Sequence, residues 1–196
     1  MARSSKAMAD VTSFKFTLES QGGNTPIPAG LEMSGADGVM AQPDRLDVKV
    51  KARFAGFVVE VRVISVGEQT FMTNPLTGAW QRFDSALSPV AFFDPAKGVG
   101  LVLDSFTAPE LLQDAPIDGA ASYHARGRLP GSAVRFIAGS SIEGSVLDAE
   151  VWIGKQDLLL RRIRLEGRLT PTEVPGIVRV LSFADFNKPQ NIQAPV

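Results

Sequence analysis

The sequence contains no cysteine and only one histidine, His124. The missing thiols exclude disulfide bonds, cysteine-ligated zinc and thiol catalysis in this chain. A single imidazole cannot form a usual zinc site, and no Gly-x-Ser-x-Gly elbow accompanies it. His124 lies on the polar phase of its predicted strand, as surface or structural histidines do. We therefore predict no metal, no cofactor and no enzymatic activity.

A basic excess and long apolar runs are also missing. Lys and Arg total 20 against 21 for Asp and Glu, which argues against a dedicated nucleic-acid binder. No stretch approaches the ~20 apolar residues of a membrane span. The first 14 residues, MARSSKAMADVTSF, lack the apolar core of a signal peptide. An exported protein with this sequence would have lost its signal upstream of residue 1.

What the chain does contain is alternation between apolar and polar residues. RLDVKVKARF (45–54) and FVVEVRVISV (57–66) alternate with period two, which is typical of half-buried strands. Similar segments recur along the chain and predict about eight to ten antiparallel strands. LEMSGADGVMAQPD (31–44) predicts a strand that turns at Gly35–Gly38 and returns.

The alternation is interrupted in the middle of the chain. Asp94-Pro95 is a typical helix start, and a short helix is predicted from there to Phe106. A second short helix is predicted within TAPELLQDAP (107–116), and one or two helical turns within GSAVRFIAG (131–139). Consecutive strands with clustered helices indicate an α+β fold. We expect one domain over residues 1–196, with loosely ordered ends at 1–10 and 188–196.

The apolar face of such a sheet must be covered, yet the predicted helices are few and short. Alternation alone leaves two outcomes open. The sheet closes on a packed core, or it wraps incompletely and leaves an apolar cavity for a ligand.

The hairpin VWIGKQDLLLRRIRLEG (151–167) crowds Lys155, Arg161, Arg162 and Arg164 together. Arg162 and Arg164 share the polar phase of the strand, which favours a solvated face over a phosphate or nucleic-acid site. Arg161 instead shares the phase of Ile163. It either bends out at the strand end or pairs with a carboxylate.

Seven landmarks occur in an order and spacing that resemble the LppX/LprA/LprF/LprG family of mycobacterial envelope lipoproteins. They are SFKFTLES, ADGVMAQPDRL, EVRVISVGEQTFMTNPLTGAW, FDPAKGVGLVL, DGAASYHARGRL, AEVWIGKQDLLLRRIRLEG and FADFNKPQNIQAP. The resemblance implies a half-barrel, in which a strongly curved antiparallel sheet wraps around a few short helices and encloses an apolar cavity. It also implies non-catalytic binding and transport of acylated lipids or glycolipids.

The same resemblance implies an extracytoplasmic, membrane-anchored protein of the cell envelope, with a lipid anchor upstream of this sequence and a monomeric state. No nucleic-acid partner is expected. Two other functions remain open: a carrier or sensor of lipoproteins similar to LolA and RseB, and a structural envelope module with a filled core. The residues expected to line the cavity lie on the inward phases of the strands and on the helical cover: Val48, Val50, Val59, Val61, Val63, Phe92, Phe93, Leu101, Val102, Phe106, Ile163 and Leu165.

Overall fold

A computed structural model describes residues 1–83 and 98–195, and twelve strands in these residues form a single antiparallel sheet. The strands are β1 Ser13–Gln21, β2 Thr25–Ile27, β3 Leu31–Ala41, β4 Arg45–Phe54, β5 Phe57–Val66, β6 Gln69–Thr73, β7 Trp80–Phe83, β8 Thr107–Leu111, β9 Ser122–Pro130, β10 Val146–Gly154, β11 Leu160–Glu166 and β12 Val178–Ala184. The helices are α1 Ala2–Ala9 and α2 Gly100–Asp104, with 3-10 turns at Pro28–Gly30 and Gly131–Ile137.

The strand order is β7-β6-β5-β4-β3-β1-β12-β11-β10-β9-β8, and β2 pairs with β3. Nearly every neighbour in this order is also a neighbour in sequence, as expected of a meander. There are two exceptions. The short strand β2 lies between β1 and β3 in sequence, and the pairing of β1 with β12 joins the two halves of the sheet at its centre. Within the described residues β7 and β8 are the two edges and do not pair with each other, so the fold is an open half-barrel.

One face of the sheet is apolar because the alternation of the strands is kept in register across their pairs. Val48 and Val50 of β4 are buried, whereas Lys49 between them and Lys51 beyond them are exposed. The helices lie on the apolar face. Fully or nearly fully buried side chains on α1, on α2 and in the second 3-10 turn join the strand residues in one core cluster: Met8, Val102, Leu103, Val134 and Ile137.

Residues near both ends of the chain contact the rest of the fold. Helix α1 contacts α2, and the Ser5 hydroxyl donates a hydrogen bond to Asp104 Oδ2 over 3.0 Å. In the C-terminal segment Ile192 is buried, and Arg45 Nη1 donates to its carbonyl oxygen over 2.8 Å. Apolar residues at either end therefore add to the core.

The predicted turn at Gly35–Gly38 is wrong, because β3 runs without interruption through both glycines. Gly38 is needed for close packing. A Cβ at this position would lie 2.5 Å from the carbonyl oxygen of Asp47 and 2.9 Å from the ring of Phe16. The glycine thus lets β3 pass beneath a neighbouring ring and backbone, as glycines within strands often do.

The helix predicted in TAPELLQDAP is also wrong, because Thr107–Leu111 forms strand β8. Pro109 lacks the N–H that a helix interior requires, whereas an edge strand tolerates proline. The helix predicted up to Phe106 is present as α2, Gly100–Asp104. Its predicted start at Asp94-Pro95 lies outside the described residues.

Candidate functional site

The first group of predicted lining residues lies on β4 and β5. Val48 faces Val63 and Val50 faces Val61 across the strand pair, on the apolar side of the sheet. These four side chains are at most 8% exposed, and Val59 packs against them half-buried. Five branched side chains thus form one continuous apolar surface on two long strands.

The second group belongs to the helical cover. Val102 on α2 and Phe106 directly after it are buried in the core cluster. Leu101 is 50% exposed, because consecutive residues of a helix are about 100° apart and it therefore lies on another face of α2 than Val102. Phe92 and Phe93 lie outside the described residues. The structure therefore brings Val102 and Phe106 to the apolar face and leaves Leu101 at the surface of α2.

The third group, Ile163 and Leu165, lies on β11 in the other half of the sheet. Ile163 faces Val151 of β10 and Leu181 of β12, and all of these side chains are buried. Three strands separate β11 from β4, yet both groups belong to the same cluster of buried residues. The candidate site is therefore one apolar interior that spans both halves of the sheet.

Phenylalanines at the centre of the sheet were not among the predicted lining residues. Phe14 of β1 lies edge-on to Phe16 and to Phe183 of β12, with ring centroids 6.3 and 5.6 Å apart. Phe186 completes the group at 6.4 Å from Phe14. The alternation of β1 is sufficient to predict that Phe14 and Phe16 point into the interior, because both lie on its apolar phase.

A buried ion pair in the interior was also missed. Arg179 and Glu173 are both fully buried and pair with each other. Arg179 Nε donates to Thr25 Oγ1 over 2.8 Å, and its Nη1 donates to the carbonyl oxygen of Gly167 over 3.0 Å. The signal in the sequence was the position of Arg179 on the apolar phase of β12. The pair fastens the β11–β12 connection to β12 and β2.

Arg161 is the extra residue of a bulge in the β10–β11 pair. Trp152 faces Arg162, whereas the next residue, Ile153, faces Leu160. Arg161 has no partner on β10 and leaves the alternation of its strand. This explains why it appeared in phase with apolar residues.

Three of the four positive side chains of this hairpin pair with carboxylates of the molecule. Arg161 pairs with Asp157, and its guanidinium lies 4.9 Å from the ring centroid of Phe186. Other basic residues of the hairpin also contact carboxylates: Lys155 pairs with Asp114, and Arg164 pairs with Glu150 and Glu166. These contacts favour a solvated strand face over an anion site.

His124 lies in a side-chain stack on the polar face. Its ring is parallel to that of Trp152 at 4.3 Å, and its Nε2 lies 2.7 Å from Glu150 Oε2. Within residues 1–83 and 98–195, no three His, Asp or Glu side chains are grouped so as to hold a metal ion. The contacts of His124 are those of a structural residue.

Two surface carboxylates pair with cations. Lys15 and Lys188 both donate hydrogen bonds to Asp185 and lower its pKa to about 2. Asp47 accepts two hydrogen bonds from Arg62, over 2.8 and 2.6 Å, and this raises the pKa of the guanidinium. Lys15, Asp47 and Arg62 lie on the polar phases of their strands, so these pairs are outside the apolar interior.

In the described part of the chain no helix has the length and apolar character needed to cross a bilayer.

Comparison with known proteins supports the resemblance noted in the sequence. The structure matches LprF from Mycobacterium bovis with a TM-score of 0.76 and 17% identity, over 98% of this chain and 93% of that one. It matches the Mycobacterium tuberculosis lipoprotein LppX with a TM-score of 0.68 and 21% identity, over 97% and 95% of the two chains. No curated protein sequence matches the chain.

A family model described as LppX_LprAFG lipoprotein matches residues 1–187. A match of this extent covers both halves of the sheet and its junction between β1 and β12. Together with the fold, it supports a lipid-binding or lipid-carrier role. The chain belongs to the LppX_LprAFG lipoprotein family.

Proposed function

We propose that this protein binds the acyl chains of a lipid or glycolipid in the interior of its half-barrel and carries them through the cell envelope without catalysis. The observation that carries the proposal is the continuous apolar face of an open sheet, covered by two short helices, in a chain of this lipoprotein family. An apolar interior of this kind has no need of catalytic groups.

The energetics of acyl-chain binding are favourable in such an interior. Each methylene transferred from water contributes about 0.8 kcal/mol, so a dozen methylenes contribute about 10 kcal/mol. Immobilising the lipid and ordering the cover offset part of this sum. The remainder is compatible with a carrier that must both hold and release its lipid.

In the proposed complex the acyl chains contact three groups of residues. The first is the valine surface of β4 and β5, the second is the helical cover, and the third is β11. The proposed lining is Val48, Val50, Val59, Val61, Val63, Phe92, Phe93, Val102, Phe106, Ile163 and Leu165, without Leu101, which is half exposed on α2.

We further propose that the protein acts as a monomeric single domain at the outer side of the cytoplasmic membrane, held there by a lipid anchor. A tethered carrier stays close to the bilayer from which it takes its lipid. The anchor also limits the distance over which one molecule can deliver.

Native mass spectrometry of the protein purified from a lipid-containing host tests lipid binding. We expect a mass above that of the polypeptide, and we expect organic extraction to release a lipid that accounts for the difference. Val50→Phe places a ring into the apolar interior, and Thr17→Phe places the same ring on the exposed face of β1.

The two variants separate an open interior from a filled one. If acyl chains occupy the interior, Val50→Phe displaces lipid and leaves the folding stability nearly unchanged, while Thr17→Phe retains its lipid. If side chains fill the interior, Val50→Phe instead destabilises the fold by about 1–3 kcal/mol through overpacking. Lipid-free wild-type protein together with that destabilisation contradicts the proposal.

A further inference from the structure

The hairpin between β4 and β5 ends in an exposed apolar tip. Phe57 and Val58 are 69% and 79% exposed, although β5 buries its valines further along. The turn itself consists of Ala55 and Gly56, which are also exposed. The tip therefore presents two large apolar side chains to the surroundings next to a two-residue turn.

The two side chains point in opposite directions. Phe57 pairs with Phe54 on the inward phase, whereas Val58 pairs with Arg53 on the outward phase. Successive side chains of a strand project to opposite faces. A protein partner bound to one face of the hairpin would leave one of them in water. A fluid that surrounds the tip, such as the interior of a bilayer, can bury both.

The connections at this end of the sheet carry the exposed charged residues Arg135, Glu143 and Arg168 as well as uncharged segments. The pairing registers place three of the uncharged segments at the same end as the hairpin tip: the turn Pro28–Gly30, the loop Val174–Gly176 and the start of β10 at Val146. None of them contains a charged residue. Val146 and Val174 are 56% and 45% exposed. We call these segments and the hairpin tip the apolar rim.

The opposite end of the sheet is different. Its connections carry charged residues at nearly every turn: Asp44, Glu68, Lys155, Asp157, Asp185 and Lys188. Charged residues therefore lie at both ends, whereas exposed large apolar side chains of the strands and their connections are more numerous at the rim end, with Phe57, Val58, Val146 and Val174 there against Leu111 and Tyr123 towards the other end. Such an asymmetry is expected when one end meets an apolar phase and the other remains in water.

The charges behind the hairpin tip identify the kind of surface. Lys51 and Arg53 are exposed on β4, and they face the exposed carboxylates Glu60 on β5 and Glu32 on β3. Two positive and two negative side chains leave the region without net charge. Long basic side chains can still extend their charge to lipid phosphates while the apolar tip is immersed. This balance of charges indicates that burial of the apolar tip, more than attraction to anionic lipids, would drive its insertion into a bilayer.

We propose that the apolar rim docks on a phospholipid bilayer, with Phe57 and Val58 inserted between the lipids. This interaction goes beyond the carrier function and does not depend on it, because docking needs no lipid in the interior. It provides a contact with the membrane at the end of the sheet opposite the charged turns.

Flotation with vesicles of phosphatidylcholine alone tests the proposal. We expect the wild-type protein to float with the vesicles, and the double variant Phe57→Ser/Val58→Ser to bind at least about tenfold less because two apolar side chains are lost from the contact. Leu111→Ser is the matched control, since Leu111 is 68% exposed on β8 and lies towards the opposite end of the sheet. The control should float as the wild type does.

Two further measurements complete the test. Binding should change less than about twofold between roughly 0.05 and 0.5 M salt, because the screened charges contribute little. Phe57→Trp reports insertion directly: its emission should shift to the blue on addition of vesicles, relative to the same titration of the wild type. Far-ultraviolet circular dichroism confirms that each variant is folded.

Several outcomes would overturn the proposal. Wild-type protein that does not float, a double variant that floats equally well, or an unshifted Phe57→Trp emission each contradicts insertion. Self-association that disappears in the double variant, without vesicle binding, would show that a second copy covers the rim. Protein that floats yet carries no lipid would contradict the carrier function and leave the docking intact.

Discussion

Replacing Glu173 with alanine should destabilise the fold more than any exposed substitution. The carboxylate is fully buried and is the only charged partner of Arg179 among the described residues. In the variant, Arg179 keeps its hydrogen bonds to Thr25 and Gly167 but retains a buried charge without a counter-ion. Breaking a buried ion pair in this way costs about 3–5 kcal/mol.

Hydrogen bonds from the backbone to Glu173 place the expected loss of folding stability towards the upper end of that range. Glu173 Oε2 also accepts hydrogen bonds from the backbone N–H groups of Leu169 and Thr170, over 2.6 and 3.1 Å. Alanine leaves both donors without this acceptor inside the protein. Glu173→Gln retains the shape and one acceptor oxygen, and hydrogen bonds to a neutral acceptor are about half as strong. We therefore expect glutamine to cause about half of the loss caused by alanine.

Urea unfolding followed by circular dichroism measures these differences. Glu110→Ala is the control, because Glu110 pairs with Arg126 at the surface and both side chains are about 60% exposed. Such pairs contribute about 0–1 kcal/mol. If Glu173→Ala lowered the free energy of unfolding as little as the control variant does, the account would be refuted. The double variant Glu173→Leu/Arg179→Met should recover most of the stability, because it removes both charges.

Three other substitutions have defined outcomes. Gly38→Ala should lower the free energy of unfolding by about 1–3 kcal/mol in urea titrations, because the new methyl group overlaps neighbouring backbone. His124→Ala should leave lipid occupancy in native mass spectra unchanged, and a lost lipid peak would give the histidine a role in binding. Lys15→Met should raise the pKa of Asp185 from about 2 towards 3.8, followed by NMR of the carboxyl carbon. Because the pKa of Asp185 is lowered in the fold, its stabilising contribution is complete above about pH 4 and disappears as the pH falls towards 2. An unchanged pKa of Asp185 in Lys15→Met would contradict the role given to Lys15.

The strands were predictable because one face of the sheet is buried and the other is solvated. Under that condition a period of two appears directly in the sequence, as in β4 and β5. The same alternation placed Val50 and Val61 on the inward face, and the register confirms that they face each other. The family resemblance supplied the half-barrel, which alternation alone left open.

The predictions from sequence were wrong where packing between distant segments overrides the local sequence pattern. Gly38 resembles a turn residue, but its role is to admit the backbone of β4 and a ring from β1. The segment around Pro109 resembles a helix in sequence because it contains consecutive leucines. Only the edge position of β8 explains why the strand tolerates a proline there. The bulge at Arg161 and the partner of Arg179 depend on the pairing of strands, which no local window of sequence contains.

The central claim is that acyl chains occupy the interior of the half-barrel, and electron density tests it most directly. The measurement is a crystal structure of the protein purified, without delipidation, from a lipid-containing host. The account predicts elongated density between the valines of β4–β5 and the helical cover, with the length of an acyl chain. Side chains packed to the density of an ordinary core throughout that region, with no room for a methylene chain, would contradict it.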